Sequence, residues 1–371
     1  MKTKVAWVST TGATGTCGQG GGNLQYKRVN IEVTWPGQYL DNPVRVDSIL
    51  APDTRINDPA YGTILVVVTG EDGTGRSSVT VTVTKVVDGA TITGTIDPTD
   101  SDGCTYILKV VPGTYKVQVS KTNYRSKVDQ QSSTPFKEDL QVVAGATATA
   151  AFTYDDSSTF TLDYAANGSD DVTKPNNLDL TYVGGLSDVT DTSPGNSVSL
   201  YPMPAGYQAI AGLYATCANT DPMNWTPSTG YLGGIRADEV GTAPGDSAIM
   251  PVPMGVVRVK VPNDSSRRYI TAVQQSTSGT GNPGCATTKS YTFPRFTANS
   301  TQYIALPYGT WKIYAGNSSG STSQLLTSSS LVVQASAVQL DGSGGLAQDV
   351  LGNSGVNSST SVVTLDPRQP E

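Results

Sequence analysis

Tyr106 to Ser120 reads YILKVVPGTYKVQVS, and this stretch decides the fold class. An apolar run ends at Pro112-Gly113, and beyond it Tyr115, Val117 and Val119 alternate with Lys116, Gln118 and Ser120. Strict alternation sends successive side chains to opposite faces, the period of a half-buried strand, and proline and glycine supply the turn between two strands. The same device recurs at Leu200 to Ile210 (LYPMPAGYQAI) and at Tyr303 to Ile313 (YIALPYGTWKI). In each copy an apolar strand stops at proline, glycine makes the turn, and an aromatic (Tyr115, Tyr207, Trp311) opens the next strand. Three related β modules are expected at about 85–156, 157–250 and 251–342, the last two opening on Thr159 to Tyr164 (TFTLDY) and Gly255 to Val261 (GVVRVKV).

Upstream, residues 1–84 read as one more antiparallel module. Gln25 to Trp35 (QYKRVNIEVTW) alternates Val29, Ile31 and Val33 with Arg28, Asn30, Glu32 and Thr34, and Pro43 to Leu50 alternates again. Ile64 to Thr69 is an apolar core strand, and the turn Glu71-Asp72-Gly73-Thr74-Gly75 leads into Ser78 to Thr84. Thr10 to Asn23 is a Gly- and Thr-rich loop carrying Cys17. Residues 343–371 gain Gly, Ser and Asn and are expected to be an extended or loosely held tail. The fold class is therefore all-β: several antiparallel β-sandwiches in tandem, immunoglobulin-like or prealbumin-like, without a long helix.

Composition narrows the function. Of 371 residues 15% are charged, the net charge is −7, and no block of like charge stands out, which argues against nucleic acid as a partner. Histidine is absent, which removes imidazole acid-base catalysis, imidazole triads and the commonest transition-metal ligand. A carboxylate pair of the glycosidase type needs only two acids, but such acids on β modules are ordinarily solvated surface groups, and no phosphate loop or nucleophile elbow occurs. An enzyme is not expected.

The four cysteines, Cys17, Cys104, Cys217 and Cys285, lie far apart, and none forms a C-x-x-C pair. Three connectivities are open, as is the alternative of four buried thiols. Cys17 to Cys104 and Cys217 to Cys285 are favoured because each closes a loop between neighbouring modules or within one. Disulfides would place the chain outside a reducing cytosol. No signal peptide is read at Met1 to Trp7, and the longest apolar run, Ile64 to Val68, is too short to span a bilayer, so export would use a removed segment or another chain.

No cofactor is expected, but Asp97, Asp100 and Asp102, ending in the turn glycine Gly103, are the best candidate ligands for Ca²⁺. The competing reading is a polar turn in which Asp tolerates the geometry. Glycosylation sequons stand at Asn167, Asn224, Asn263, Asn299, Asn317 and Asn357, and Ser318 to Ser330 is a candidate for O-linked sugar. Trp35, Trp225 and Trp311 with the tyrosines suit either a sugar-stacking platform or, more commonly for aromatics that head strands, the core.

Gln25 to Trp35 followed by Pro43 to Leu50 resembles the globular part of type IV pilin-like proteins of Gram-positive and related bacteria, over about a fifth of the chain. The PGTY (112–115) and YGTW (308–311) turns resemble prealbumin-like surface modules of the collagen-adhesin B and carboxypeptidase-regulatory type, over roughly half. The resemblance implies an extracellular pilus or surface filament, with the chain a minor pilin or the partner in a split pilin. Pilins assemble through an apolar N-terminal helix that this sequence lacks, so a removed segment or a small helical pilin subunit would supply the stem. Collagen-adhesin B modules often hold a Lys-Asn isopeptide, yet Lys260 finds no Asn in Ser336 to Leu340, and Lys85 has no evident mate.

A structural filament subunit is thus the leading expectation, with other copies of itself or a helical pilin as partners and no membrane span of its own. Assembly would need an exposed strand edge or apolar patch. The alternative is a cell-surface adhesin for a host or surface glycan, or for a protein, with aromatics on a loop-rich tip.

Overall fold

A computed structural model describes residues 1–9, 17, 24–34, 44–50, 58–92, 94–164, 172–276, 278–279, 281–327, 329–334, 337–340, 346–348, 356–357 and 361–368. The loop 10–23 apart from Cys17, Trp35, Pro43, Asn167 and most of 343–371 lie outside the described residues. Strands and two single-turn 3-10 segments make up the regular structure described, and no α-helix is among them. The chain divides into two units, Met1–Ser157 and Ser158–Glu371.

The first unit opens with a three-stranded antiparallel sheet, Lys2–Ser9, Leu24–Val33 and Val44–Leu50 in that order. Its polar face is tied by Asp47, which accepts from Arg28 Nη2 at 2.8 Å and Asn30 Nδ2 at 2.6 Å. A sandwich follows. One sheet runs Cys104–Val110, Gly62–Thr69, Thr147–Asp156, Tyr124–Ser126, and the facing sheet runs Thr80–Lys85, Gly113–Ser120, Phe136–Val142. Ile64, Val66, Val68, Val81, Val83, Val117 and Val119 fill the space between them.

Gly62–Thr69 thus belongs to the sandwich, and the boundary read at 84/85 falls within it: the module starts near residue 62. The strand is apolar on both faces for a reason. Ile64, Val66 and Val68 enter the core, while Leu65 and Val67 pack outward against Cys17, Cys104 and Tyr106. It pairs parallel with Thr147–Asp156, so everything between them, including the facing sheet, forms the crossover.

The second unit holds two more sandwiches. Ser197–Leu200, Ser158–Tyr164 and Ser247–Val252 form one sheet, and Val189–Asp191, Leu180–Val183 and Gln208–Ala211 the other. Ser158–Tyr164 and Ser247–Val252 run parallel, repeating the closure of the first sandwich. In the last sandwich Val172–Thr173, Thr301–Leu306, Gly255–Lys260 and Leu331–Gln334 face Ser290–Arg295, Tyr269–Gln275, Gly309–Gly316, Val362–Leu365 and Val356–Asn357. The stretches 157–250 and 251–342 share one continuous core that runs from Phe160 and Tyr182 through Val257 to Trp311 and Leu365.

The expected loose tail differs from what is found at 361–368. Val362–Leu365 pairs with Gly309–Gly316, and Val363 and Leu365 have no exposed surface. The short alternation VVTL is masked in the sequence by the Gly, Ser and Asn that precede it.

All three turn repeats do the same thing. None is a hairpin: in each, the two strands lie in opposite sheets, so the Pro-Gly turn is the corner at which the chain crosses the core. The aromatic after each corner reaches back to lock it. Tyr115 Oη donates to Val111 O at 2.8 Å, Tyr207 Oη to Tyr201 O at 2.8 Å, and Trp311 Nε1 to Pro307 O at 3.0 Å. A buried aromatic needs a partner for its polar tip, and the carbonyl freed by the corner supplies one.

Candidate functional site

Cys17 is bonded to Cys104 with Cα atoms 5.5 Å apart, and Cys217 to Cys285. The first bond fastens the N-terminal segment onto the outer face of the first sandwich, where Tyr106 Oη donates to Cys17 O at 2.5 Å. Burial pushes the Tyr106 hydroxyl up to about 12, with the Asp100 charge adding to it.

The candidate calcium ligands sit beside this bond and serve the turn. Asp100 Oδ1 accepts the backbone N–H of Asp102 at 3.0 Å and of Cys104 at 2.9 Å, and Gly103, at φ +80°, closes the turn by donating to Asp100 O. The carbonyl of Asp97 accepts from Thr105 Oγ1 at 2.8 Å. Among the described residues no cluster of three or more Cys, Asp or Glu side chains able to hold a metal is present.

Of the sequons, Asn224, Asn263, Asn299 and Asn317 are exposed. Asn224 Nδ2 donates to Ala218 O at 3.0 Å, and Asn299 sits at φ +57° in a turn. Asn357 is described only as backbone in the strand Val356–Asn357. Trp225 and Trp311 are core, not platform, at 1% and 0% exposure. Lys260 Nζ donates to the backbone carbonyl of Asn299 at 2.6 Å, and Lys85 Nζ lies 4.0 Å from Asp88 Oδ2.

Four carboxylates are buried among the described residues, Asp155, Asp179, Asp221 and Asp366, and each meets a cation: Arg76, Lys289, Arg236 and Arg368. These pairs serve the frame: Arg76, bidentate to Asp155 at 2.6 and 2.8 Å, pins the 70–76 turn onto Thr147–Asp156.

The second disulfide organises the one loop-rich concavity we single out. Cys217 lies in the loop after Gln208–Ala211, and Cys285 in the loop between Tyr269–Gln275 and Ser290–Arg295. Asn219, fully buried, bridges them: its N–H donates to Gly284 O at 3.1 Å, its carbonyl accepts from Trp225 Nε1 at 2.8 Å, and its Oδ1 lies 2.9 and 3.3 Å from the two sulfurs. Over this plate opens a groove of about 800 Å³, lined among others by Tyr214, Thr216, Asp221, Asn224, Arg236 and Thr287. Arg236 is held edge-on, Nε to Asp221 Oδ1 at 2.9 Å and Nη2 to Oδ2 at 2.6 Å, with its guanidinium 6.0 Å from the Tyr214 ring. The Asp221 pairing raises the Arg236 pKa, so its charge is permanent. The sequence does not reveal this groove, because its residues come from two connections, 212–246 and 276–289, that are joined by the disulfide, by Asn219 and by the backbone bonds of Ala286 and Thr287 to Thr216 O.

No family model matches the chain, and no curated protein matches it. Among solved structures it is similar to the Bacillus anthracis TIE protein (12% identity, TM-score 0.22, covering 85% of this chain and 61% of that one). It is also similar to a Streptococcal ancillary pilin (9%, TM-score 0.22, 83% and 71%) and to BcpA, the major pilin subunit of Bacillus cereus (13%, TM-score 0.21, 74% and 94%). The chain thus spans 61% of the length of the TIE protein.

Proposed function

We propose that the chain is a non-catalytic structural subunit of an extracellular surface filament of the type IV pilin-like kind, joined to other copies or to a helical stem subunit. The observation that carries this reading is the edge strand Val44–Leu50, where Val44, Val46 and Ile49 are 50%, 52% and 61% exposed. Its outer edge pairs with no strand among the described residues, which suits addition of a neighbour's strand. Two long-range disulfides suit a load-bearing element outside a reducing compartment. The test is to shear filaments from native cells and quantify this chain by mass spectrometry with and without reduction. Abundance with all four cysteines paired supports the reading, and absence from the filaments refutes it.

A second reading, an adhesin for a neutral glycan, is favoured by the groove. Planar Arg236, Asp221 and Asn224 beside the Tyr214 ring offer the paired polar edges and aromatic face that saccharides use. Tyr214→Ala and Thr287→Arg should each abolish retention on an immobilised neutral glycan array without lowering thermal stability. Unaltered retention would remove the groove from the account.

A further inference from the structure

Residues 361–368 are seated in the last sandwich as a plug in a shaped receptor. Val362–Leu365 lies antiparallel to Gly309–Gly316, with Thr364 opposite Thr310 and Leu365 opposite Gly309. Two glycines on the receptor make the space. A Cβ on Gly255 would stand 2.7 Å from the Leu365 side chain, and one on Gly281, at φ +85°, would collide with Arg368 Nη1. Beyond the strand, Arg368 lies 5.5 Å from both the Trp225 and Tyr231 rings and donates to Thr226 O at 3.1 Å and Ser228 Oγ at 2.8 Å. Asp366 orients it through paired bonds at 2.9 and 2.6 Å, and both side chains are buried. The receptor therefore recognises one sequence, Val362 to Arg368 (VVTLDPR), by backbone pairing, two apolar pockets and a cation slot.

Nothing in those contacts depends on which copy supplies the segment. Residues 335–355 separate it and the strand Val356–Asn357, which pairs with it, from Gln334, a tether that reaches up to roughly 70 Å when extended. We propose that, when copies are crowded, the plug of one copy occupies the cradle of the next, so that a second copy of this chain completes the last sandwich. The contact is heterologous, plug to cradle, and such contacts propagate into open chains unless a rotation closes them. This rests on the filament reading for its biological use, but not for its chemistry.

A cis plug competes at an effective concentration of the order of 1 mM, so exchanged dimer should rise from about one part in a hundred at ~10 µM to about half at ~1 mM. The test uses two full-length variants, Thr310→Cys and Thr364→Cys, at a pair whose Oγ atoms lie 3.3 Å apart. Neither can cross-link within its own closed fold. Mixed at ~1 mM in sub-denaturing urea, returned to buffer and oxidised, they should give a covalent heterodimer at least tenfold above either variant alone. Heterodimer no more abundant than that background overturns the proposal. Should either variant fail to fold, the wild-type chain carries the test: light scattering at ~1 mM should show dimer, and a strictly monomeric mass also overturns it. Filament content is measured separately on native material, so abundant chain in filaments with no exchange would remove this proposal and leave the filament reading standing.

Discussion

Replacing Arg368 by methionine should destabilise the second unit far more than the loss of an arginine usually does. The guanidinium and the Asp366 carboxylate are 3% and 4% exposed, and two further acceptors, Thr226 O and Ser228 Oγ, depend on the same side chain. Removing one partner of a buried pair leaves an uncompensated charge, at a cost of about 3–5 kcal/mol. With a urea m-value of about 2 kcal/mol/M, the midpoint should fall by about 2 M. The pair itself need not be worth that much. Desolvation offsets most of the attraction, so the double variant Arg368→Met with Asp366→Leu should recover at least about half of the loss. The assay is urea unfolding at neutral pH of the wild type, both single variants and the double variant, followed by tryptophan fluorescence, since the neighbouring Trp225 should report opening of the site. A single-variant cost below about 1 kcal/mol, or a double variant no more stable than the worse single, would show that the carboxylate reaches water and that the site is not closed as described.

Alkali should unfold this protein cooperatively. Burial raises the hydroxyls of Tyr164, Tyr182, Tyr207 and Tyr291 well above the usual tyrosine range and that of Tyr106 to about 12. A raised folded pKa contributes stability that is complete below the unfolded value of about 10 and is lost as pH climbs above it. The share of tyrosinate absorbance that comes from these rings should therefore appear together with the loss of near-ultraviolet dichroism, and their independent titration in a folded chain would refute the burial. Without histidine, stability should be flat between about pH 6 and 9, a plateau readable from thermal melts. Removing the Cys17–Cys104 bond by paired serine substitution frees a loop of 87 residues and should cost the first unit about 4–5 kcal/mol in denaturant unfolding, with the Cys217–Cys285 loop of 68 residues worth nearly as much. Gly281→Ala, forced to φ +85° against Arg368, should lower the stability of the second unit by about 2 kcal/mol or more, whereas Gly230→Ala, with open space around it, should cost only the φ strain of about 1 kcal/mol.

What the sequence made legible follows from which interactions are local. Period-two alternation in 113–120 and the Pro-Gly-aromatic device identified strands and turns, because both are set within a few residues. Whether the two strands flanking such a turn pair with each other or cross the core is decided by distant partners: Thr80–Lys85 and Phe136–Val142 claim Gly113–Ser120, while Gly62–Thr69 claims Cys104–Val110. The hairpin and the corner have the same local signature. For the same reason the module start was read at 85 and not near 62, since the two-sided burial of Gly62–Thr69 depends on Cys17, brought from 87 residues away from Cys104.

The groove and the plug were illegible for a different reason. Asp221, Arg236, Asp366 and Arg368 are charged residues in polar surroundings, and in sequence a charge reads as solvent exposure. Burial converts each into a fixed pair, and the conversion depends on glycines: Gly281 admits the Arg368 guanidinium, and Gly255 admits Leu365. A glycine in a loop and one heading a strand look like ordinary punctuation until the group that fills the missing Cβ is known. Where two such vacancies converge on a single seven-residue segment, they mark a receptor, and a receptor made by the chain for its own segment is also one that an identical neighbour can fill.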